Sequence, residues 1–295
     1  MAGDGVCQIG SAVILLKPDE RARQVIHLNH SSVVETLAMT ELNRKVLEGD
    51  IKSQLINYLK GKGWFEKKHA LVNEFTIDGS SRRVDLCVFT EKHAYAFEIK
   101  SEADSLVRLE GQVSKYLDYF DKVIVVASKK HIENVLSKTP EDVAVWEASD
   151  IIKVIRRGKL SKKLDIAKNI EMMKVSDLKK LIAFNGGKGG NKTRKELEKE
   201  AIHASPTQVR SFTLSGIMDR YLLTTNNFWD KVKDNYILPE NLSLLSMQKF
   251  YLSFEQKNLR KVLDLTVFYD DPHLITLSKN GKVFGEVPDD ILKLL

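Results

Sequence analysis

The sequence predicts a mixed α/β fold, with helices packed on a β-sheet, for roughly residues 41–150. Two observations predict this class. Apolar residues recur at helical spacing in several segments, and short runs rich in β-branched and aromatic residues lie between them. In chain order the elements are α-β-β-β-α-β-α-β. Such an order is typical of a sheet in which some neighbouring strands are joined by crossover helices.

The first helix and the next three strands are the clearest elements. A helix is predicted from residue 48, because its apolar residues recur at helical spacing until two glycines end the run. Two strands follow at 69–77 and 82–89, separated by the turn-forming sequence Asp-Gly-Ser-Ser at 78–81. Residues 94–99 (AYAFEI) form the third predicted strand.

The second half of this region alternates between helix and strand. A helix is predicted at about 104–119, with its leucines and valine on one side. The apolar run at 123–127 (VIVVA) predicts a buried strand. A helix at 130–138 and a strand at 143–146 complete the predicted sheet region.

The remaining sequence divides into two further regions. Residues 151–295 are predicted to be basic and mainly helical, with capping-box signals that start helices at about 194–203 and 206–220. Asn280-Gly281 lies between alternating apolar residues, so the chain is predicted to end in a β-hairpin. Residues 1–40 show no dominant periodicity and are treated as an N-terminal extension of unknown role.

Composition narrows the class of protein. The chain has 295 residues, of which 43% are hydrophobic and 29% charged, close to the average of soluble proteins. Its apolar runs are far shorter than the roughly 20 residues of a membrane helix. No basic stretch precedes the first apolar run as in a signal peptide. Two cysteines cannot build a disulfide framework. We therefore expect a soluble, cytoplasmic protein with no membrane partner.

The charge is unevenly distributed along the chain. The formal net charge is +6, but residues 153–199 contain 15 Lys and Arg against 5 Asp and Glu, a local excess of 15 − 5 = +10. A basic segment beside a slightly acidic remainder indicates a surface that faces a polyanion such as DNA. A solvated, lysine-rich helical surface explains the same charge equally well.

Three charged residues lie within predicted strands. Asp85 interrupts an apolar strand, where an unpaired charge is costly to bury. Glu98 and Lys100 are two residues apart, so both point to one face of the next strand. Pairing of these strands through their short connection brings Asp85 beside Glu98. Two adjacent carboxylates favour a cation between them, and oxygen ligands suit Mg²⁺ or Mn²⁺. With a lysine that can orient water, they form a candidate phosphodiester hydrolysis site. Ordinary charges on an edge hairpin are the alternative.

These residues and the element order resemble the PD-(D/E)XK nuclease superfamily. Asp85 matches its metal-binding aspartate, and residues 98–100 (EIK) match its E-x-K element. More narrowly, the sequence is similar to a bacterial and phage branch of small, poorly characterised proteins that share E-I-K-S, D-S-L-x-R-L and Q-x-x-x-Y boxes. The resemblance covers about residues 48–220. It departs from the superfamily pattern at Val84, where a proline is usual.

The resemblance implies a fold and a set of roles. The fold would be a restriction-endonuclease-like mixed sheet with an α-β-β-β-α-β core. Asp85, Glu98 and the Ile99 carbonyl would bind Mg²⁺ or Mn²⁺, and Lys100 would activate or orient water. A further ligand would come from the start of the first helix, where either Glu48 or Asp50 could bind the metal. The alternative is that both are ordinary acids at a helix start, where the helix dipole favours negative charge. The residues expected to position substrate are Gln112, Tyr116 and Arg108.

The resulting prediction is a metal-dependent deoxyribonuclease with DNA as its partner. The alternative is a non-catalytic nucleic-acid-binding module on the same fold, acting in repair, recombination or phage–host conflict. No nucleotide cofactor is expected, because the glycine-rich segment 186–193 has Asn191 where a P-loop needs glycine. The helices at 194–220 are interpreted as an αα-hairpin, with a DNA-binding helix-turn-helix as the alternative. Since many members of the superfamily dimerise, a homodimer is compatible with the resemblance.

Overall fold

The computed structural model describes residues 46–161 and 165–246, which fall within one compact unit of the chain. The N-terminal extension and the predicted C-terminal hairpin lie outside the described residues. Within them, one mixed sheet has six strands in the order of the sequence. These are β1 (His69–Ile77), β2 (Arg82–Thr90), β3 (Ala94–Lys100), β4 (Lys122–Ser128), β5 (Ala144–Ala148) and β6 (Ile152–Arg156).

The pairing of the strands follows their connections. Strands β1, β2 and β3 are antiparallel neighbours joined by short turns. Strands β3, β4 and β5 are parallel, because a helix crosses over between each pair. β6 returns antiparallel to β5. The predicted mixed α/β sheet is therefore confirmed, while β6 was not predicted.

Seven α-helices surround the sheet in the described part of the chain. They are α1 (Glu48–Gly61), α2 (Leu109–Tyr119), α3 (Ile132–Lys138), α4 (Ile166–Met172), α5 (Val175–Phe184), α6 (Arg194–Ala201) and α7 (Pro206–Val232). The predicted order α-β-β-β-α-β is confirmed by α1-β1-β2-β3-α2-β4. The region after the sheet is mostly helical, as predicted.

Two predicted helix boundaries were wrong. The helix expected from residue 104 begins at Leu109, because the Asp104 carboxylate accepts hydrogen bonds from the Ser101 N–H and hydroxyl, 2.7 and 2.6 Å away. Such local side-chain bonding competes with helix formation. The helix expected to end at residue 220 continues to Val232, since its later residues pack against the sheet.

Two hydrophobic cores cover the two faces of the sheet. One face, here called the α2 face, packs against α2, α3 and the first half of α7. The opposite face, the α1 face, packs against α1, the end of α7 and the 3₁₀ turn Pro239–Leu245. Helix α7 therefore passes across the β1 edge, where the Thr225 hydroxyl accepts a hydrogen bond from the Leu71 N–H at 3.1 Å. This contact protects an edge that would otherwise be open.

A third core joins α4, α5, α6 and the start of α7. The two predicted capping boxes are present: Thr193 accepts a hydrogen bond from the Glu196 N–H, and Ser205 accepts one from the Gln208 N–H. In the ranges 46–161 and 165–246, no helix is both long and apolar enough to cross a membrane.

Candidate active site

The end of strand β3 carries a buried acid and a buried lysine on one face. Glu98 is 1% exposed and Lys100 is 8% exposed, and Nζ of Lys100 lies 2.6 Å from Oε1 of Glu98. The neighbouring Phe97 and Ile99 belong to the core on the α1 face. The period of two in a strand thus separates a charged face from an apolar one, as the spacing predicts.

Asp85 meets this pair where strands β2 and β3 part. The regular β2–β3 ladder ends at the pair Leu86–Phe97, so the next N–H of β3 has no strand partner in β2. The Asp85 carboxylate takes that place, with Oδ2 accepting a hydrogen bond from the Ile99 N–H at 2.7 Å. Since the N–H and C=O of one strand residue point to the same side, the Ile99 carbonyl also faces Asp85.

The electrostatics of Asp85 reflect its surroundings. Burial, and then the negative charge of Glu98, raise the pKa of Asp85 to about 7. The hydrogen bond from Ile99 and the positive charge of Lys52 act in the opposite direction. A partly buried aspartate next to a second carboxylate is the situation in which a divalent cation is favoured. The donors here are hard oxygens, which suit Mg²⁺ or Mn²⁺.

Strand β1 is distorted across from Asp85. Glu74 interrupts the β1–β2 ladder at this level and has a φ of 63°, in the left-handed region that only glycine adopts freely. Its carboxylate lies 3.3 Å from the Arg83 guanidinium. The distortion shifts the alternation of buried residues, so positions 70, 72, 75 and 77 all join the core on the α2 face. Backbone strain of this kind often accompanies functional sites.

Helix α2 brings two predicted substrate-positioning residues to the site. Gln112 and Tyr116 are four residues apart and share one side of the helix. Nζ of Lys100 donates to Oε1 of Gln112 at 3.3 Å. The Tyr116 hydroxyl lies 2.9 Å from Oε2 of Glu98 and 3.0 Å from the Arg83 carbonyl oxygen. Burial and the neighbouring Glu98 raise the pKa of Tyr116, so this hydroxyl stays protonated and orients the acid.

Glu48 and Asp50, the two acids in the first turn of α1 that the sequence offers as a further metal ligand, have different partners. Asp50 accepts a hydrogen bond from the Leu47 N–H at 2.9 Å, within the first turn of the helix. Glu48 pairs with Lys52 at 2.6 Å, and its charge acts on Asp85. The charge of Glu48 therefore acts on the site, and the choice between the two acids as a metal ligand stays a prediction.

Two site residues were missed in the sequence. Lys52 is buried in α1, and its Nζ lies 3.0 Å from Oδ1 of Asn73 in β1. The spacing of Glu48 and Lys52, one helical turn apart, is the signal that could have drawn attention to them. Nothing in the local sequence indicates Asn73.

Other predicted residues lie further from this centre. Arg108 is exposed at the N-cap position of α2, and Asp104, which it could have paired with, bonds to Ser101 instead. A helix-turn-helix over 194–220 could use Gln208, Arg210 and Arg220 to contact DNA. In the structure Arg210 instead binds Asp121, and Arg220 pairs with Asp177 inside the protein.

The basic segment is only partly available to a polyanion. Arg156 donates to the carbonyls of Val143 and Thr139, and Arg194 donates to those of Glu171 and Met173. These two arginines therefore hold the fold together. In the described part of the segment, exposed lysines and arginines lie at positions 153, 157, 159, 174, 180, 188, 195 and 199.

No cluster of three or more His, Cys, Asp or Glu side chains suited to a metal occurs in the described ranges. The centre instead consists of the carboxylates of Asp85 and Glu98, the backbone carbonyl of Ile99 and the side chain of Lys100. Fold and site together define a mixed α/β protein with a buried acid–lysine centre where two central strands diverge.

The chain belongs to the family of bacteriophage P4 protein cII, whose model matches residues 20–246. Protein cII of Enterobacteria phage P4 is 33% identical over 218 residues, which cover 72% of this chain and 81% of that protein. A solved structure of a protein of unknown function from Silicibacter pomeroyi is also similar, with a TM-score of 0.33 and 16% identity. That similarity covers 43% of this chain and 82% of the other.

Proposed function

We propose that this protein is a metal-dependent deoxyribonuclease of the PD-(D/E)XK superfamily. The observation that carries the proposal is the arrangement where β2 and β3 part. Oδ2 of Asp85 accepts a hydrogen bond from the Ile99 N–H at 2.7 Å, and Nζ of Lys100 lies 2.6 Å from Oε1 of the adjacent Glu98. A purely structural cluster would pair its charges, whereas Asp85 is held beside a second carboxylate with a pKa raised to about 7.

Asp85, Glu98 and the Ile99 carbonyl are the groups that would hold Mg²⁺ or Mn²⁺. Such an ion supplies Lewis-acid polarisation of a phosphate and lowers the pKa of water. The fit rests on the donor set, because all three groups offer hard oxygen and two of them are adjacent acids.

The chain's own residues would prepare the reaction in three ways. Tyr116 orients the Glu98 carboxylate through its hydroxyl. Lys100, within reach of both Glu98 and Gln112, can hold a water molecule or stabilise charge that develops on the phosphate. Burial of the site lowers the local dielectric constant, which strengthens each of these interactions.

DNA is the substrate class that we propose, with cytoplasmic action inside a bacterial cell. The exposed basic residues of 153–199 would contact phosphates without reading sequence, so binding should weaken as salt rises. The homologue in a bacteriophage is compatible with such a setting.

The test is cleavage of linear, circular and single-stranded DNA with Mg²⁺ or Mn²⁺. Wild type should cut, Lys100→Ala should not, and Lys68→Ala should behave as wild type because Lys68 is exposed and lies before β1. The preferred substrate would distinguish endonuclease from exonuclease action. Salt-sensitive DNA binding without cutting by any of the three proteins would favour the binding module instead.

A further inference from the structure

Lys52 is a buried lysine that the proposed reaction does not use. It is 3% exposed, although it lies in the first half of α1 near the surface end of the helix. Its Nζ lies 2.6 Å from Oε1 of Glu48 and 3.0 Å from Oδ1 of Asn73. Lysines are seldom buried unless their charge is needed by a partner.

The position of Lys52 links it to the acid centre. Asn73, which Lys52 contacts, pairs with Leu86 in the β1–β2 ladder. Leu86 directly follows Asp85 in strand β2, so Lys52 is bound one residue away from the level of Asp85. The positive charge of Lys52 lowers the pKa of Asp85, while the charge of Glu48 raises it. Both charges of the ion pair therefore act on the centre.

A charge count shows what this lysine could do. Glu48, Asp85 and Glu98 contribute three potential negative charges, and Lys52 and Lys100 contribute two positive ones. Without a metal ion, the lysines limit the repulsion among the acids. A divalent cation bound near Asp85 would be repelled by the positive charge of Lys52.

We propose that Lys52 is an internal counter-cation, which stabilises the metal-free site and weakens the binding of a divalent metal. This inference rests on the proposed metal-dependent function. It makes Lys52 a positioning residue, because it acts through Glu48 and Asp85 and has no contact with the reacting phosphate.

The experiment is a calorimetric titration of Mn²⁺ into the full chain, with thermal unfolding followed in EDTA and in Mn²⁺. Lys52→Met should bind Mn²⁺ about tenfold more tightly than wild type, because a nearby positive charge has been removed. It should unfold at a lower temperature in EDTA and gain more stability from Mn²⁺ than wild type does.

Three further variants separate charge from packing. Lys52→Arg keeps the charge and should bind Mn²⁺ as wild type does. Lys52→Gln removes the charge but can still bond to Asn73, and it replaces Lys52→Met if that variant fails to fold. Lys68→Met removes an equal charge from an exposed position and should leave Mn²⁺ affinity unchanged.

The outcomes distinguish this inference from the function on which it rests. If wild type binds Mn²⁺, and Lys52→Met and Lys52→Gln bind it equally or more weakly, then Lys52 is not a counter-cation but the proposed metal site stands. If wild type and all variants fail to bind Mn²⁺, the proposed metal site falls and this inference falls with it.

Discussion

An aspartate from a neighbouring segment lies beside each end of strand β3, and the two differ in how their charge is balanced. At its start, Asp121 accepts a hydrogen bond from the Ala94 N–H at 2.6 Å and pairs with Arg210. At its end, Asp85 accepts a similar bond from the Ile99 N–H at 2.7 Å, but the charge that shifts its pKa most is that of the acid Glu98. Both aspartates thus accept a hydrogen bond from a backbone N–H of β3, one beside an arginine and the other beside a glutamate.

The comparison separates a structural charge from one that we propose is functional. Arg210 bonds to Asp121 and to Asn169 of α4, so it ties helix α7 to the sheet and to the helical region. A buried pair of this kind is expensive to break, because either partner alone would be left as an unpaired buried charge. In the described residues, the lysines of the centre pair with Glu48 and Glu98 rather than with Asp85, as we expect if Asp85 serves the proposed metal site.

The largest effect expected is on catalysis. Asp85→Asn should reduce DNA cleavage by about 10²–10⁴-fold, because it removes the charge of a proposed metal ligand. Its free energy of unfolding in EDTA should not decrease, since the substitution also removes repulsion with Glu98. Cleavage assays and urea denaturation measure the two quantities. Wild-type cleavage by this variant would remove Asp85 from the site.

The opposite pattern is expected at the other end of β3. Arg210→Met should lower the free energy of unfolding by about 3–5 kcal/mol, because Asp121 would be left buried without its partner. DNA cleavage measured at a temperature where the variant is folded should stay near wild type. Arg157→Met, which removes an exposed arginine, should change stability by less than about 0.5 kcal/mol. Equal effects of both substitutions would contradict the structural role of Arg210.

The pH dependence of stability should reveal the unbalanced aspartate. Asp85 has an ordinary pKa of 3.8 and a folded-state pKa of about 7, so between these values the folded protein holds a proton that the unfolded chain has lost. The stability contributed by protonated Asp85 is therefore present at low pH and lost as pH rises through 7. Urea denaturation in EDTA from pH 5 to 8 should show this decline, and Asp85→Asn should flatten it. An equally steep decline in the variant would assign the effect to another group.

The smallest effect concerns the strained strand beside Asp85. Glu74→Gly should raise the free energy of unfolding by about 1 kcal/mol, because glycine adopts a φ of 63° without strain. The exposed Glu74–Arg83 pair that it removes contributes little. Thr76→Gly, two residues along the same strand, should instead lower stability by about 0.5–1 kcal/mol. A loss of stability in both variants would show that residue 74 is not strained.

Much of the sheet and the strand side of the site could be predicted from local patterns. The short connection between β2 and β3 requires antiparallel pairing, which brings Asp85 to the level of Glu98. The spacing of Glu98 and Lys100 then places both on one face. These features depend on strand period and turn length, which a sequence displays directly.

The features that escaped prediction depend on contacts between distant segments. β6 and the second half of α7 carry mixed polar and apolar residues, and they form because β5 and the two faces of the sheet provide partners. The spacing of Glu48 and Lys52 indicates only an ion pair within one helix, and the approach of α1 to β1 is what buries Lys52 beside Asn73.

The sequence by itself determined the α/β class, the order of the first six elements and the meeting of two acids with a lysine. Its periodicities and short connections are sufficient for that, because they act over a few residues. Only the tertiary structure decided that Lys52 and Lys100 pair with Glu48 and Glu98 rather than with Asp85, and that Arg210 is buried. Those outcomes depend on burial and on charges brought together from far along the chain, and both arise only when the elements pack.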